Sequence, residues 1–459
     1  MATADALAGS LPAGRVVTDP DVVAGYRRDE AHLVAPGRPL AVVLARDTAD
    51  VAATMRWASA HRVPVVPRGA GTGLSGGASA VDGCVVLSLA RMIAIREVAP
   101  DDELIVVEPG VITADVDRAA ASHGLMYAPD PSSHEISTIG GNLATNAGGL
   151  RCLKHGVTRD SVLGLEAVLA DGRTIRTGGR TVKHVAGYDL TGLLVGSEGT
   201  LAVITEATLR LRPRPPVPPA TVVATFPTLR AAGDAVAAVV RSGLAPSLLE
   251  LLDRTTLRAI DDWKRMGLDR DAAAMLIAQT DGSSGHGAPE AAGEAVRLVL
   301  EEAGAGLAVV SGDPGEAEAL LAVRRLAYPA IERLGTALVE DVGVPRSRLP
   351  EMIGAIERIA AERGVMIATV GHAGDGNLHP VFVMPGPRGV EVPAEVWAAA
   401  DEVFRAALAL GGTITGEHGV GALKLPWLAS ELGETTLGVH RAIKAALDPL
   451  GVLNPGKGV

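Results

Sequence analysis

With 459 residues, of which 42 are Lys or Arg and 53 Asp or Glu, the chain is too long for one ordinary domain and carries a formal charge of −11. Its 47 % apolar and 21 % charged residues suffice for a full core, and no window reaches the ~18 consecutive apolar residues of a membrane span. Scattered basic residues argue against nucleic acid or a polybasic anchor; two cysteines, Cys84 and Cys152, exclude a disulfide framework, and residues 1–5 lack a leader pattern.

The expected compartment is the cytoplasm, in solution or peripheral to the membrane. Only eleven residues are Trp, Tyr or Phe, against 55 glycines and 29 prolines, so the core is built from Ala, Val and Leu around many tight turns. From Leu40 short β-branched runs alternate with helical patterns, the rhythm of α/β or α+β domains. Asp47 opens the clearest helix: Val51, Met55 and Ala58 share one face, Asp47 and Asp50 suit its start, and Pro64 marks its exit. A strand is expected at 64–67.

The loop that follows reads Arg68-Gly69-Ala70-Gly71-Thr72-Gly73-Leu74-Ser75-Gly76-Gly77, with five glycines in nine positions. Glycine tolerates the backbone angles that turn several N–H groups inward around a pyrophosphate and has no side chain to block approach. A Rossmann site is disfavoured, because residues 78–82 lead into another strand at 84–89 where that motif needs a helix. A second loop, Ile139-Gly140-Gly141-Asn142-Leu143-Ala144-Thr145-Asn146-Ala147-Gly148-Gly149, has small residues against which a flat ring can lie. A third, Gly196-Ser197-Glu198-Gly199-Thr200-Leu201, precedes a strand at 201–210. Three such loops suit an elongated ligand with a pyrophosphate and a ring at its end, and FAD fits that description.

Four prolines at 214–219 mark a domain boundary. Beyond it, strands near 221–226, 273–278, 337–342 and 365–370 alternate with helices. The longest helix, 393–410, carries Val396, Ala400, Val403 and Ala407 on one stripe, with Gly411 as its cap.

In this second part His372-Ala373-Gly374-Asp375-Gly376-Asn377-Leu378-His379 lies between two apolar strands. If Asp375 and Gly376 form a two-residue hairpin turn, His372 pairs with His379, and opposed Cβ atoms roughly 4.5 to 5.5 Å apart let both imidazoles reach one ion. A further ligand is sought at Gly416-Glu417-His418-Gly419. Neighbours in extended chain project oppositely, so one of Glu417 and His418 can bind metal while the other faces the reaction. A His2Glu set with an open position is a catalytic arrangement, and Zn2+ or Mn2+ suits it.

The run 64–78, the block from Asp130-Pro131-Ser132-Ser133 to Gly149, the segment 196–201 and the closing Asn454-Pro455-Gly456-Lys457 together resemble the vanillyl-alcohol oxidase and p-cresol methylhydroxylase flavoprotein superfamily. Within it the chain is similar to FAD-dependent D-lactate and D-2-hydroxyglutarate dehydrogenases and the glycolate oxidase FAD subunit. The resemblance implies an α+β fold. A two-subdomain FAD-binding α/β domain occupies 1–215, an α+β cap with an antiparallel sheet 216–411, and a segment returning to the FAD domain 412–459.

The resemblance also implies residue roles. Pro67 and Arg68 to Leu74 wrap the pyrophosphate; Pro131 and Thr138, with Gly141, Asn142, Ala144, Thr145 and Asn146, line the ring; Glu198, Gly199, Ile204 near the adenine, and Asn454 complete the FAD site. Some relatives tether the flavin through a His in the glycine loop; residues 69–77 hold none, so noncovalent FAD is expected. His372, His379 and Glu417 become the metal ligands and His418 the base. Of Arg324 and Arg325 on an expected helix, Arg324 meets the substrate carboxylate, with Tyr328 one turn along the same side.

The implied reaction is oxidation of a short D-2-hydroxy acid, D-lactate or glycolate, to the 2-oxo acid, with hydride passing to flavin N5. The 2-hydroxyglutarate branch is expected to grip its distal carboxylate with a basic residue, and 338–345 is apolar and acidic instead. A 2-hydroxyglutarate dehydrogenase and an FAD-carrying subunit of a glycolate oxidase complex are the alternatives within the family. A metallohydrolase holding a phosphate ester is the alternative outside it. The electron acceptor stays open among a quinone, a cytochrome, an iron–sulfur subunit and O2.

Overall fold

The computed structural model describes residues 3–282, 287–384, 386 and 391–458; Met1 and Ala2, part of the stretch read for a leader, lie outside them. The chain divides into two units. The first comprises Met1–Gly148, Gly156–Arg214 and Glu417–Val459, and the second Gly149–His155 and Pro215–Gly416. The passage from one to the other falls at Arg214, inside the proline run, where Pro supplies no N–H to a continuing strand. The return falls at Glu417, and the short helix Cys152–His155 belongs to the second unit.

The first unit holds two larger sheets and a two-stranded ribbon, Leu125–Met126 with Arg212–Pro213. In one, Ala41–Leu44 and Val65–Arg68 flank Val85–Ser88 in parallel, and Val16–Val17 adds an antiparallel edge. A helix, Thr48–His61, makes the crossover that parallel strands require. Its N-cap is Asp47, which accepts from the Asp50 N–H at 2.9 Å, and Val51, Met55 and Ala58 are buried as their spacing predicts. Its exit comes earlier than Pro64, at Arg62 in the left-handed conformation (φ 53°).

The other sheet is antiparallel, in the order Ile95–Ala99, Leu104–Val107, Val203–Arg210, Val162–Val168, Thr174–Gly178. The chain end returns to the first sheet: Val65 donates to the Val452 carbonyl at 2.7 Å, and Asn454 donates to the Val65 carbonyl at 2.8 Å.

The second unit is built on one antiparallel sheet. Its order is Leu307–Ser311, Ala220–Phe226, Ala274–Thr280, Leu248–Asp253, Met366–His372, Asn377–Met384, Thr336–Val339, with Val342–Gly343 also pairing Asn377–Met384. On one face Leu248, Leu252, Val370, Val381 and Val383 pack with Ile260, Val323, Ala327 and Ile331 from helices, forming a single apolar cluster. The helix Ala394–Ala409 buries Val396, Ala400, Val403 and Ala407, and Gly411 follows it with φ 78°. Among the described residues no helix is long and apolar enough to cross a membrane.

Candidate functional site

The glycine loop leaves the end of Val65–Arg68 as an irregular segment. A Cβ on Gly69 would fall onto Thr138 Oγ1, and one on Gly140 would come within 2.6 Å of Pro109 Cβ, so each glycine packs against a neighbouring side chain where one of its own has no room. Gly71 and Gly76 have φ near +80°, the left-handed region that glycine occupies without strain. These bare amides fit a pyrophosphate and ring system such as FAD.

The second loop is not irregular throughout. Ile139–Thr145 forms a short helix capped by Thr138, which accepts from the Gly141 N–H at 3.4 Å. The Ser/Thr-x-x start of a helix is legible at Thr138, but two glycines in the first turn mask it. Side chains expected to touch the ring are partly committed elsewhere. Asn142 Nδ2 donates to Thr113 Oγ1 at 2.6 Å, Asn146 Oδ1 accepts from the Arg159 N–H at 2.8 Å, and Ile204 is buried in the apolar cluster with Leu165 and Leu209. What these segments offer a flavin is chiefly backbone and small side chains such as Ala144 and Thr145.

Glu198 has a separate task. Its buried carboxylate accepts from the N–H groups of Val420 at 2.9 Å and Gly421 at 2.8 Å, while burial pushes its pKa up. Asn454 Nδ2 donates to the carbonyls of Gly77 (2.9 Å) and Glu198 (2.7 Å), stitching the glycine loop to the third loop. Gly199 stands against Pro67, where a Cβ would lie 3.1 Å from its Cγ. Ser75 Oγ lies 2.9 Å from the carbonyl oxygens of both His418 and Gly419. The segment after Glu417 is thus held by side chains from two of the three loops. Arg68 is half-buried, donates to the Arg28 carbonyl at 2.6 Å, and has its pKa lowered by burial against the pull of Asp29.

In the second unit the hairpin register differs from the expected one. His372 pairs with Asn377 and His379 with Val370, so the turn spans four residues, 373–376, rather than Asp375 and Gly376 alone. The Asp375 N–H closes on the His372 carbonyl at 3.2 Å, and Gly376, at φ 89°, accepts at its carbonyl from the Val344 N–H at 2.9 Å. A shift of two residues keeps the same face, and the two imidazoles still meet, with ring centroids 5.2 Å apart at 87°.

Behind His372 stands Glu250, fully buried, both of whose oxygens lie 2.9 Å from Nδ1. Arg324 Nε donates to Glu250 at 2.7 Å, while Arg325 pairs with Glu318 at the surface. Arg324 is therefore the inward-facing arginine, committed to a protein carboxylate. Tyr328 is not on its helix. Pro314–Arg325 ends at Leu326, and Tyr328 lies in Ala327–Ile331, because Pro329 has no N–H for the Arg325 carbonyl.

Asp341, also fully buried, accepts from Thr415 Oγ1 at 3.0 Å and from the Gly416 N–H at 2.5 Å, fixing the chain immediately before Glu417. His372, His379 and Glu417 each offer one ligand atom, and the three atoms lie within 4.8 Å of one another. His418 does not project oppositely to Glu417: its Nε2 is 3.7 Å from Glu417 Oε1. The premise of an extended chain fails here, since the segment is bent and Gly419 and Gly421 adopt φ of 83° and 52°.

Comparison with known proteins gives the family of the chain. Residues 39–178 match the family description "FAD binding domain", and residues 216–458 match "FAD linked oxidases, C-terminal domain". The chain belongs to the FAD-linked oxidases. It is 44 % identical over 446 residues to the glycolate oxidase subunit GlcD of Bacillus subtilis, covering 97 % of this chain and 92 % of that one. It is 39 % identical over 445 residues to a D-lactate dehydrogenase of Archaeoglobus fulgidus, covering 94 % and 95 %. The p-cresol methylhydroxylase structure shares the fold with a TM-score of 0.81 at 19 % identity, covering 99 % of this chain and 96 % of that one.

This FAD-linked oxidase has four site-building residues that motif reading passed over: Ser75, Glu250, Asp341 and Asn377. Glu250 had a signal, being an acid flanked by two leucines on each side in Leu248–Asp253, a strand buried throughout. Asn377 had none beyond its place in the hairpin motif.

Proposed function

We propose that the chain oxidises a short D-2-hydroxy acid, D-lactate or glycolate, to the 2-oxo acid, using noncovalent FAD and a divalent ion held by His372, His379 and Glu417. The observation that carries this reading is the convergence of those three donors within 4.8 Å, with Glu250 behind His372. The names of the relatives support the substrate class.

FAD, when bound, supplies a hydride acceptor. Zn2+ or Mn2+ on a two-imidazole, one-carboxylate set would supply Lewis-acid polarisation of the substrate hydroxyl and carboxylate. His418, adjoining Glu417, takes the hydroxyl proton on a ring nitrogen. Ser75 and Glu198 fix the backbone at His418 and immediately after it, so the base does not have to be ordered during the reaction. Arg324 donates to Glu250 through Nε, and its other guanidinium nitrogens are the ones that would meet the substrate carboxylate.

Residues 338–345 contain no Lys or Arg, and Glu340 and Asp341 within them are buried, which favours a monocarboxylate over 2-hydroxyglutarate. A second reading, an FAD-carrying subunit of a glycolate oxidase assembly, is favoured by the name of the 44 % identical relative. It leaves the chemistry unchanged and concerns where the electrons go next.

The test is anaerobic flavin reduction across a panel of D- and L-2-hydroxy acids, with and without chelation. Bleaching by D-lactate or glycolate that disappears on metal removal supports the proposal. Reduction at full rate in metal-free protein, or by none of the acids, overturns it. Acid precipitation should release the yellow flavin into the supernatant.

A further inference from the structure

Resting on the metal reading just given, we propose that Glu250 is the positioning residue of the metal site, fixing the His372 tautomer and ring through Nδ1 while Arg324 fixes Glu250 in turn.

The register between Leu248–Asp253 and Met366–His372 pairs Leu251 with Gly371, which sets Glu250 directly across from His372. Both carboxylate oxygens are 2.9 Å from Nδ1, and a carboxylate paired with Arg324 can only accept, which assigns the proton to Nδ1. The lone pair is then on Nε2, the atom left to meet an ion. A carboxylate behind a ligating imidazole also raises its basicity and stops the ring from turning.

The surroundings show that this trio is not a generic stabilising contact. Glu250 is fully buried, Arg324 is 6 % exposed and His372 3 %, and the same sheet face carries Leu248, Leu252 and Val370 of the apolar cluster. A buried ion pair in such a place gains little over apolar side chains of equal volume, because both charges lose their hydration. Its geometry is therefore explained by what it holds. Arg324 Nε reaches Glu250 Oε2 at 2.7 Å from the last turn of its helix, whose neighbouring Val323 anchors that helix in the cluster.

The experiment is a Mn2+ titration of the metal-free, FAD-loaded protein, with the unbound ion read by its EPR signal. Glu250→Gln keeps the size of the side chain and removes its charge. It is expected to weaken Mn2+ binding about 10- to 100-fold with FAD content unchanged. Because that variant leaves Arg324 as an uncompensated buried cation, the double variant Glu250→Gln/Arg324→Met is made as well, and it should fold and still bind Mn2+ weakly. Folded variants that bind Mn2+ within about twofold of wild type would overturn the proposal and leave the metal reading standing. Wild-type protein that binds neither Mn2+ nor Zn2+ would overturn the metal reading, and this inference with it.

Discussion

His379 lies diagonally across its hairpin from His372: its strand partner is Val370, His372 faces Asn377, and the two rings nevertheless stand 5.2 Å apart, edge to face. Diagonal neighbours share a face because side chains alternate with a period of two, and long side chains cover the extra separation. The donor pair is thus a property of the face rather than of the turn.

The hairpin and the glycine cradle belong to separate units, so a change in one should spare the other. His379→Ala is expected to lose the bound metal while retaining a full complement of FAD. Metal analysis and flavin absorbance on the same purified sample check this, and metal retained at the wild-type ratio would remove His379 from the ligand set.

The elements that sequence reading reached correctly are those with strong periodicity or punctuation. Asp47, Val51, Met55 and Ala58 announce a helix, and Val396, Ala400, Val403 and Ala407 announce another. It erred where tertiary hydrogen bonds outvote local rules. Asp-Gly favours a two-residue turn, but Val344 and Leu249 bind the 373–376 turn from outside, through the Gly376 carbonyl and the Gly374 N–H. Neighbours in extended chain alternate, but glycines bend the chain after Glu417. Glu250 and Asp341 act only through residues more than 70 positions away, and no spacing rule connects such partners.

Gly416 stands where a side chain has no room. A Cβ there would lie 2.5 Å from Asn377 Oδ1 and 2.6 Å from its Cγ, and the Gly416 N–H is bound by Asp341. Gly416→Ala is expected to cost about 1–3 kcal/mol and to displace Glu417, lowering metal content. Denaturant unfolding and metal analysis measure both effects, and wild-type values for both would show that the hairpin yields freely.

Cys84 is buried in an apolar cluster with Val42, Leu44, Val66 and Val86 of the first sheet, and burial pushes its thiol pKa up to about 11. At pH 8 it is almost entirely protonated and therefore a poor nucleophile. In a Cys152→Ser background the native protein should not react with a thiol reagent at pH 8 until it is unfolded. Rapid labelling of native protein would contradict the burial.

Asp253 caps the helix Arg254–Lys264 and accepts from Thr256 and from the Thr369 N–H, yet burial raises its pKa from 3.8 to about 6. The folded state then binds the proton more readily than the unfolded one. Its contribution to stability should fall as pH rises from about 4 through about 6 and stay level above that. The difference in urea midpoint between wild type and Asp253→Asn, followed from pH 4 to 8, should change across that window. A constant difference would mean that the hydrogen bonds to Asp253 cancel the effect of burial.

His418 is the residue on which the proton transfer turns, and the structure allows its ring to be removed without loosening its backbone. Ser75 holds the His418 carbonyl, and Glu198 holds the N–H groups of Val420 and Gly421, so His418→Ala should leave the loop in place. Since the proposed ligands are His372, His379 and Glu417, metal content should be unchanged. Loss of a general base typically slows reaction 10²- to 10⁴-fold, and anaerobic flavin reduction by D-lactate or glycolate should slow by about that much. His418 Nε2 lies 3.7 Å from Glu417 Oε1, close enough for the alternative to be tested in the same experiment. Metal lost from His418→Ala but kept in Glu417→Ala would exchange the two roles. A folded, metal-loaded His418→Ala that reduces its flavin at the wild-type rate would sink the assignment, because the hydroxyl proton would then be leaving through another group.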